Sequence, residues 1–195
     1  MTQSHVLDSQ HLSFFIGAEQ YGLGILEARE ILQYPAVTAV PSRSRAIRGV
    51  INLRGTAVPV VDLAAVFGHG VQPITSRTCV VVVASQSPNG ESTLIGLVVE
   101  RVHQVFELRS ENIERVPELG MRSRAKFFRG LNRTNDGFVL LLDLPRVLEH
   151  VDFDEDLLDI GVDEPPLAEA EPAACHVSVG GDPDPQPETE ESSQP

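Results

Sequence analysis

Apolar residues in this chain come in short runs rich in β-branched side chains, and almost every run is closed by a turn signal. Leu12 to Ile16, Tyr21 to Ile25, Thr56 to Leu63, Thr78 to Ala84, Leu94 to Val99, Phe127 to Leu131 and Phe138 to Leu144 each read as a strand. Gly17-Ala18-Glu19-Gln20 reads as a hairpin turn, Pro88-Asn89-Gly90 as a loop and Asn135-Asp136-Gly137 as a turn. Val37 to Val40 is a further short strand, Val102 to Leu108 alternates imperfectly, and Asn112 to Pro117 is irregular. Helical spacing is confined to brief pieces: Leu26 to Leu32, a segment capped by Ser42 that reaches Val50, Ala64 to Phe67, and Arg146 to Glu149 behind Pro145. Many short strands with few short helices indicate an all-β architecture of sandwich or barrel type.

The densest pattern runs from Ile47 to Leu63, two apolar elements joined at Asn52-Leu53-Arg54-Gly55. Gly55 supplies positive φ at little steric cost, so the chain turns there and pushes Arg54 outward. An arginine at such a corner presents five fixed donors. Arg43, Arg45, Arg48 and Arg54 stand close in sequence, and no acid occurs between Glu30 and Asp62. Pro59 lacks a ladder donor, which predicts an edge strand or a bulge. A weak echo links the halves. Gly49 through Val58 to Asp62-Leu63 is answered by Gly130 through Val139 to Asp143-Leu144, each aspartate placed to cap the helical turn behind it. Two similar barrels are the simplest source of that echo.

Charge is unevenly spread. Residues 1–150 carry 14 acids and all 15 Lys+Arg, while residues 151–195 carry 14 acids and neither Lys nor Arg. The folded part is near neutral, which excludes a nucleic-acid binder relying on a basic face. Residues 161–195 read as a disordered, acidic, Pro-rich tail. Cys79 reads as a buried small hydrophobe, and no disulfide with Cys175 is expected. No secretory signal and no membrane span are read, so a cytoplasmic location without direct membrane insertion is expected. The six histidines show no metal-ligand spacing, and no nucleophile elbow or phosphate loop appears. These residues suggest no catalytic, metal or cofactor site.

Tyr21 to Ile31, Ile47 to Gly55, Val58 to Leu63, Ile95 to Glu100, Phe128 to Gly130 and Val139 to Asp143 together resemble the CheW family of chemotaxis coupling proteins and the matching domain of the kinase CheA. The resemblance implies two small five-stranded SH3-like β-barrels packed together with short helices. The domain would span 10–152, with the chain switching barrels near 70–78 and again near the C-terminal strand. It implies a non-enzymatic adaptor, without cofactors, joining chemoreceptor cytoplasmic tip helices to a CheA-type histidine kinase at membrane-bound arrays. Carried over position by position, it puts Arg54 and Glu30 on the receptor-facing surface, with Gly55, Arg48 and Asn52 beside them. Leu12, Phe14, Ile25 and Val37 are expected to meet the kinase's similar barrel. Two alternatives stand beside this reading: an adaptor of a pilus-motility or other non-flagellar pathway, and a small ligand-binding barrel or hydrolase, which would need a polar pocket with nucleophile and base.

Overall fold

The computed structural model describes residues 9–86, 92–116, 124–134, 137–151 and 153. The expected loop at 88–90, the Asn135-Asp136 part of the last turn and the tail at 161–195 lie outside them.

Two sheets account for the architecture. The first has six strands: β1 (Ser9–Ile16), β2 (Glu19–Gly24), β8 (Arg101–Leu108), β9 (Ile113–Glu114), β10 (Phe128–Thr134) and β11 (Gly137–Leu142), in the order β8-β1-β2-β11-β10-β9. The second has five: β3 (Ala28–Gln33), β4 (Ile47–Leu53), β5 (Thr56–Asp62), β6 (Cys79–Gln86) and β7 (Ser92–Val99), in the order β3-β6-β7-β5-β4. Two short helices follow β5 and β11: α1 (Leu63–Val66) and α2 (Leu144–Glu149). The all-β expectation therefore holds, with the two-residue β9 adding a sixth strand to one sheet. The chain changes sheet between Gly24 and Ala28 and again between Val99 and Arg101. Residues 70–78 join β5 to β6 within one sheet, so the expected crossing there is displaced.

The sequence echo is a structural repeat. All neighbouring strands are antiparallel except β5 with β7 and β2 with β11, which hold equivalent places. One constant offset relates Ala46 to Phe127, Gly49 to Gly130, Asp62 to Asp143 and Leu63 to Leu144. Each hairpin has its register shift just before that glycine. Asp62 N–H donates to Ala46 O at 2.7 Å, and Asp143 N–H to Phe127 O at 2.8 Å. Both aspartates then cap a helix: Asp62 Oδ1 accepts from Ala64 N–H, and Asp143 Oδ1 from Arg146 N–H.

Alternation explains why β5 and β6 are apolar throughout. Val58, Val60, Val80 and Val82 fill a small core with Leu32, Ile51 and Leu53. Val61, Val81 and Val83 face the other way, into the main core shared with the six-stranded sheet. The main core also holds a ring cluster: Phe67, just after α1, lies 5.1 Å from Tyr21, 5.7 Å from Phe127 and 5.6 Å from Phe128. Phe67 thus packs residues of both sheets into one core. Cys79 is buried at the head of β6, as read.

Two predicted helices are strands. Leu26 to Leu32 gives β3, and the segment reaching Val50 gives β4. Each carries a register shift, between Ala28 and Glu30 and between Ile47 and Gly49. The extra residue of a bulge moves the two-residue alternation out of phase, so apolar positions fall three apart and imitate a helix. Ser42 caps nothing helical: its Oγ accepts from Ser44 N–H at 3.2 Å, a local turn. The expected strand at Val37 to Val40 shrinks to one bridge, Thr38 with Val50. Pro59 sits in an interior strand, not an edge. Val50 exchanges both backbone bonds with Thr38, so the facing Pro59 owes β4 no donor, and the parallel ladder to β7 starts one residue later at Val60.

Candidate functional site: the Arg54 corner

β4 and β5 meet in a two-residue turn. Leu53 pairs with Thr56, and the residues between them, Arg54 (φ 52°) and Gly55 (φ 85°), both have positive φ. This is the primed turn that matches strand twist. The Gly55 reading holds, and Arg54 adds a feature the sequence did not reveal: a bulky residue in the left-handed region. Asn52 Oδ1 accepts Gly55 N–H at 2.8 Å and ties the corner from inside. Asn52 therefore builds the turn.

Arg54 is four-fifths exposed, and its Nη2 donates to Glu30 Oε1 at 3.1 Å. β3, which carries Glu30, and β4 are the two outer strands of the five-stranded sheet. An ion pair from the turn after β4 to the middle of β3 means that the sheet curls until its edges approach, which makes it barrel-like. The pair closes the rim at little energetic gain, since exposed pairs contribute about 0.2–1 kcal/mol. A guanidinium held so weakly can exchange Glu30 for an incoming carboxylate.

The other expected contact residues separate. Arg48 does not join the corner: it sits at the far end of β4, its Nη2 2.6 Å from Asp62 Oδ2 and 2.8 Å from Gln72 O. Asp62 is buried, so this arginine is committed to an internal ion pair. Arg43 and Arg45 precede β4 and also lie at that end, so the arginines close in sequence are spread along a strand. Leu12 and Phe14 are completely enclosed in the core and present no side chain to a partner. Their alternation with His11 and Ser13 marks them as inward-facing from sequence alone. Ile25 and Val37 are half-buried and remain available. Leu26, 89% exposed, is a feature the sequence reading missed, because the helical assignment placed it on an apolar face. Beside it, Glu27 fixes the β2–β3 crossing by accepting from Gly24 N–H at 3.0 Å and from Arg129 Nη2 at 2.8 Å.

A second polar cluster joins the halves. Glu19 Oε2 accepts from the Tyr21 hydroxyl at 2.6 Å and from Arg124 Nη1 at 3.3 Å. His69 Nε2 lies 3.2 Å from the same oxygen and 2.8 Å from Arg124 Nη1. Burial acts to raise the Glu19 pKa, but the Tyr21 hydroxyl, Arg124 and His69 outweigh it and hold the carboxyl below its usual range. Burial first, then the bond to Glu19, pushes the Tyr21 phenol well above its usual range. Among the described residues no group of three or more His, Cys, Asp or Glu is placed to hold a metal ion, and no helix is long and apolar enough to cross a membrane.

Comparison with known proteins agrees with this fold. The family model described as CheW-like domain matches residues 10–152. The chain is 32% identical over 139 residues to the chemotaxis protein CheW of Klebsiella aerogenes, covering 71% of this chain and 81% of that one. It is 28% identical over 91 residues to Protein PilI of Pseudomonas aeruginosa, covering 48% of that protein. Among solved structures, the scaffolding protein TtCheW from Thermoanaerobacter tengcongensis matches with a TM-score of 0.62 at 27% identity, over 74% of this chain and 90% of that one.

Proposed function

The chain belongs to the CheW-like domain family, and from that premise we propose that it is a non-enzymatic chemotaxis adaptor coupling chemoreceptors to a CheA-type histidine kinase. The observation that carries the proposal is the exposed Arg54–Glu30 pair at the rim of the five-stranded sheet. A receptor tip helix offering a carboxylate to Arg54 and a basic group to Glu30 replaces one weak pair with two. Charge pairs of this kind set register and partner choice more than affinity. Gly55 and Asn52 hold the corner that presents Arg54, while Arg48 acts only inside the fold. Ile25, with the projecting Leu26 beside it, offers one apolar contact for the kinase's similar barrel, and Val37, packed on the small core, offers a separate one. The protein works in the cytoplasm and is recruited to receptor arrays through these contacts.

Reconstitution tests this reading. The full chain is mixed with a receptor signalling fragment and a CheA-type kinase, and complexes are resolved by size. The expected result is a species holding all three, which does not form when the chain is left out. A chain that binds neither partner, or only one of them at any concentration, overturns the adaptor reading. The weaker likeness to Protein PilI covers 47% of this chain, against 71% for the Klebsiella chemotaxis protein, so the chemotaxis reading is preferred to a pilus-motility one.

A further inference from the structure

At the other end of β5 from Arg54, roughly 20 Å away along seven strand residues, the surface holds a cleft of about 470 Å³. The β1–β2 turn, the segment before β6 and the β7–β8 crossing form its walls. Two guanidinium groups line it, Arg77 and Arg101, and neither makes an ion pair among the described residues. Arg101 is held in place by stacking, its guanidinium carbon 3.6 Å from the Phe15 ring centroid. Stacking fixes the plane of the fork and leaves its edge donors for a ligand. The cleft also holds one carboxylate, Glu100, whose Oε1 accepts Gly17 N–H at 2.8 Å, so one of its oxygens is engaged by the wall itself. Thr75 and Thr78 add hydroxyls 3.3 Å apart, the second on a buried residue, and Thr75 N–H donates to Thr78 Oγ1 at 2.9 Å. The wall is fixed further by Gln33 Nε2 on Ser76 O and by Arg48 Nη2 on Gln72 O.

We propose that this cleft binds a phosphate-type oxyanion through Arg77 and Arg101. The two guanidinium groups outnumber the single carboxylate of this concave space, and an anion between them takes forked, charge-assisted hydrogen bonds from both. A tetrahedral oxyanion has enough oxygens to engage both forks and a threonine hydroxyl, which a planar carboxylate does not. The site is remote from the Arg54 corner, so both can be occupied together. Its ligand can be free phosphate or a phosphate-bearing lipid headgroup.

The test is calorimetric titration of the full chain with inorganic phosphate, with acetate as a comparison, and sedimentation with phosphatidylglycerol vesicles as a second arm. Arg77→Gln, Arg101→Gln and Arg29→Gln are compared. Arg77 is exposed and its guanidinium has no ion pair to lose, so the first variant keeps the fold. Arg29 removes the same charge from β3. The expected result is millimolar or tighter phosphate binding that weakens about tenfold or more in both cleft variants and holds in Arg29→Gln. Vesicle binding with the same arginine dependence, but none to free phosphate, assigns the headgroup as the source and supports the site. Absence of binding in both arms, equal binding by the cleft variants, or an equal loss in Arg29→Gln overturns it.

Discussion

Arg54 stands in a backbone region that costs a non-glycine residue about 1–2 kcal/mol, yet its side chain returns only one exposed ion pair. Strain kept without a compensating contact inside the fold fits a residue retained for what it presents outward. Arg54→Ala should leave the thermal melt nearly unchanged, within about 1 kcal/mol of stability. Gly55→Val should destabilise measurably more in the same melt. No atom lies within 4 Å of a side chain added at Gly55, so the cost is φ strain at a β-branched residue and not crowding. Equal melts for the two variants would contradict that. Glu19 carries a pH prediction. Its folded pKa lies below the ordinary 4.5, so its stabilising contribution is fully present above that pH and is lost as pH falls through the folded value. Glu19→Gln should therefore show a shallower loss of stability than the native chain below about pH 4.5 in acid titrations of unfolding. Parallel acid limbs would refute it. At this scale the sequence revealed Gly55 through the turn chemistry around it. It could not reveal that Arg48 faces Asp62 while Arg54 faces Glu30, because each partner comes from a different strand.

Elements were legible where alternation runs unbroken and hidden where a bulge shifts it. β5, β6, β7 and β11 were read nearly in place, whereas β3 and β4 were taken for helices because their register shifts put apolar residues at helical spacing. The capping aspartates were legible too, since Asp-Leu behind an apolar strand marks a strand-to-helix junction. Their equivalence hides a difference in cost. Asp62 is buried and paired with Arg48 at 2.6 Å, while Asp143 pairs only with exposed Arg146 at 3.3 Å. Asp62→Ala strands a largely buried guanidinium and should cost about 3–5 kcal/mol in chemical denaturation. Asp143→Ala loses chiefly a cap, about 0.5–2 kcal/mol. The reverse order would show that the repeat has misassigned which junction bears the load.

Across the whole molecule, the two sheets form one folding unit: they share the main core, and Phe67, just behind β5 of the five-stranded sheet, packs on Tyr21, Phe127 and Phe128 of the six-stranded side. Phe67→Ala should cost about 3–5 kcal/mol and destabilise both halves in a single transition. Two separated transitions would mean that the halves fold independently. The sequence showed the doubling through its echo but not the crossings between sheets, which depend on pairings such as β2 with β11 that lie far apart in the chain. The adaptor reading places receptor contact on the Arg54 corner and kinase contact on another surface, near Ile25 and Val37. Measuring the affinity of Arg54→Ala for a receptor signalling fragment and, separately, for a CheA-type kinase tests that division directly. The prediction is receptor binding weakened by about 1–3 kcal/mol with kinase binding and the melt unchanged. Unchanged receptor affinity, or equal loss of both partners, would contradict it.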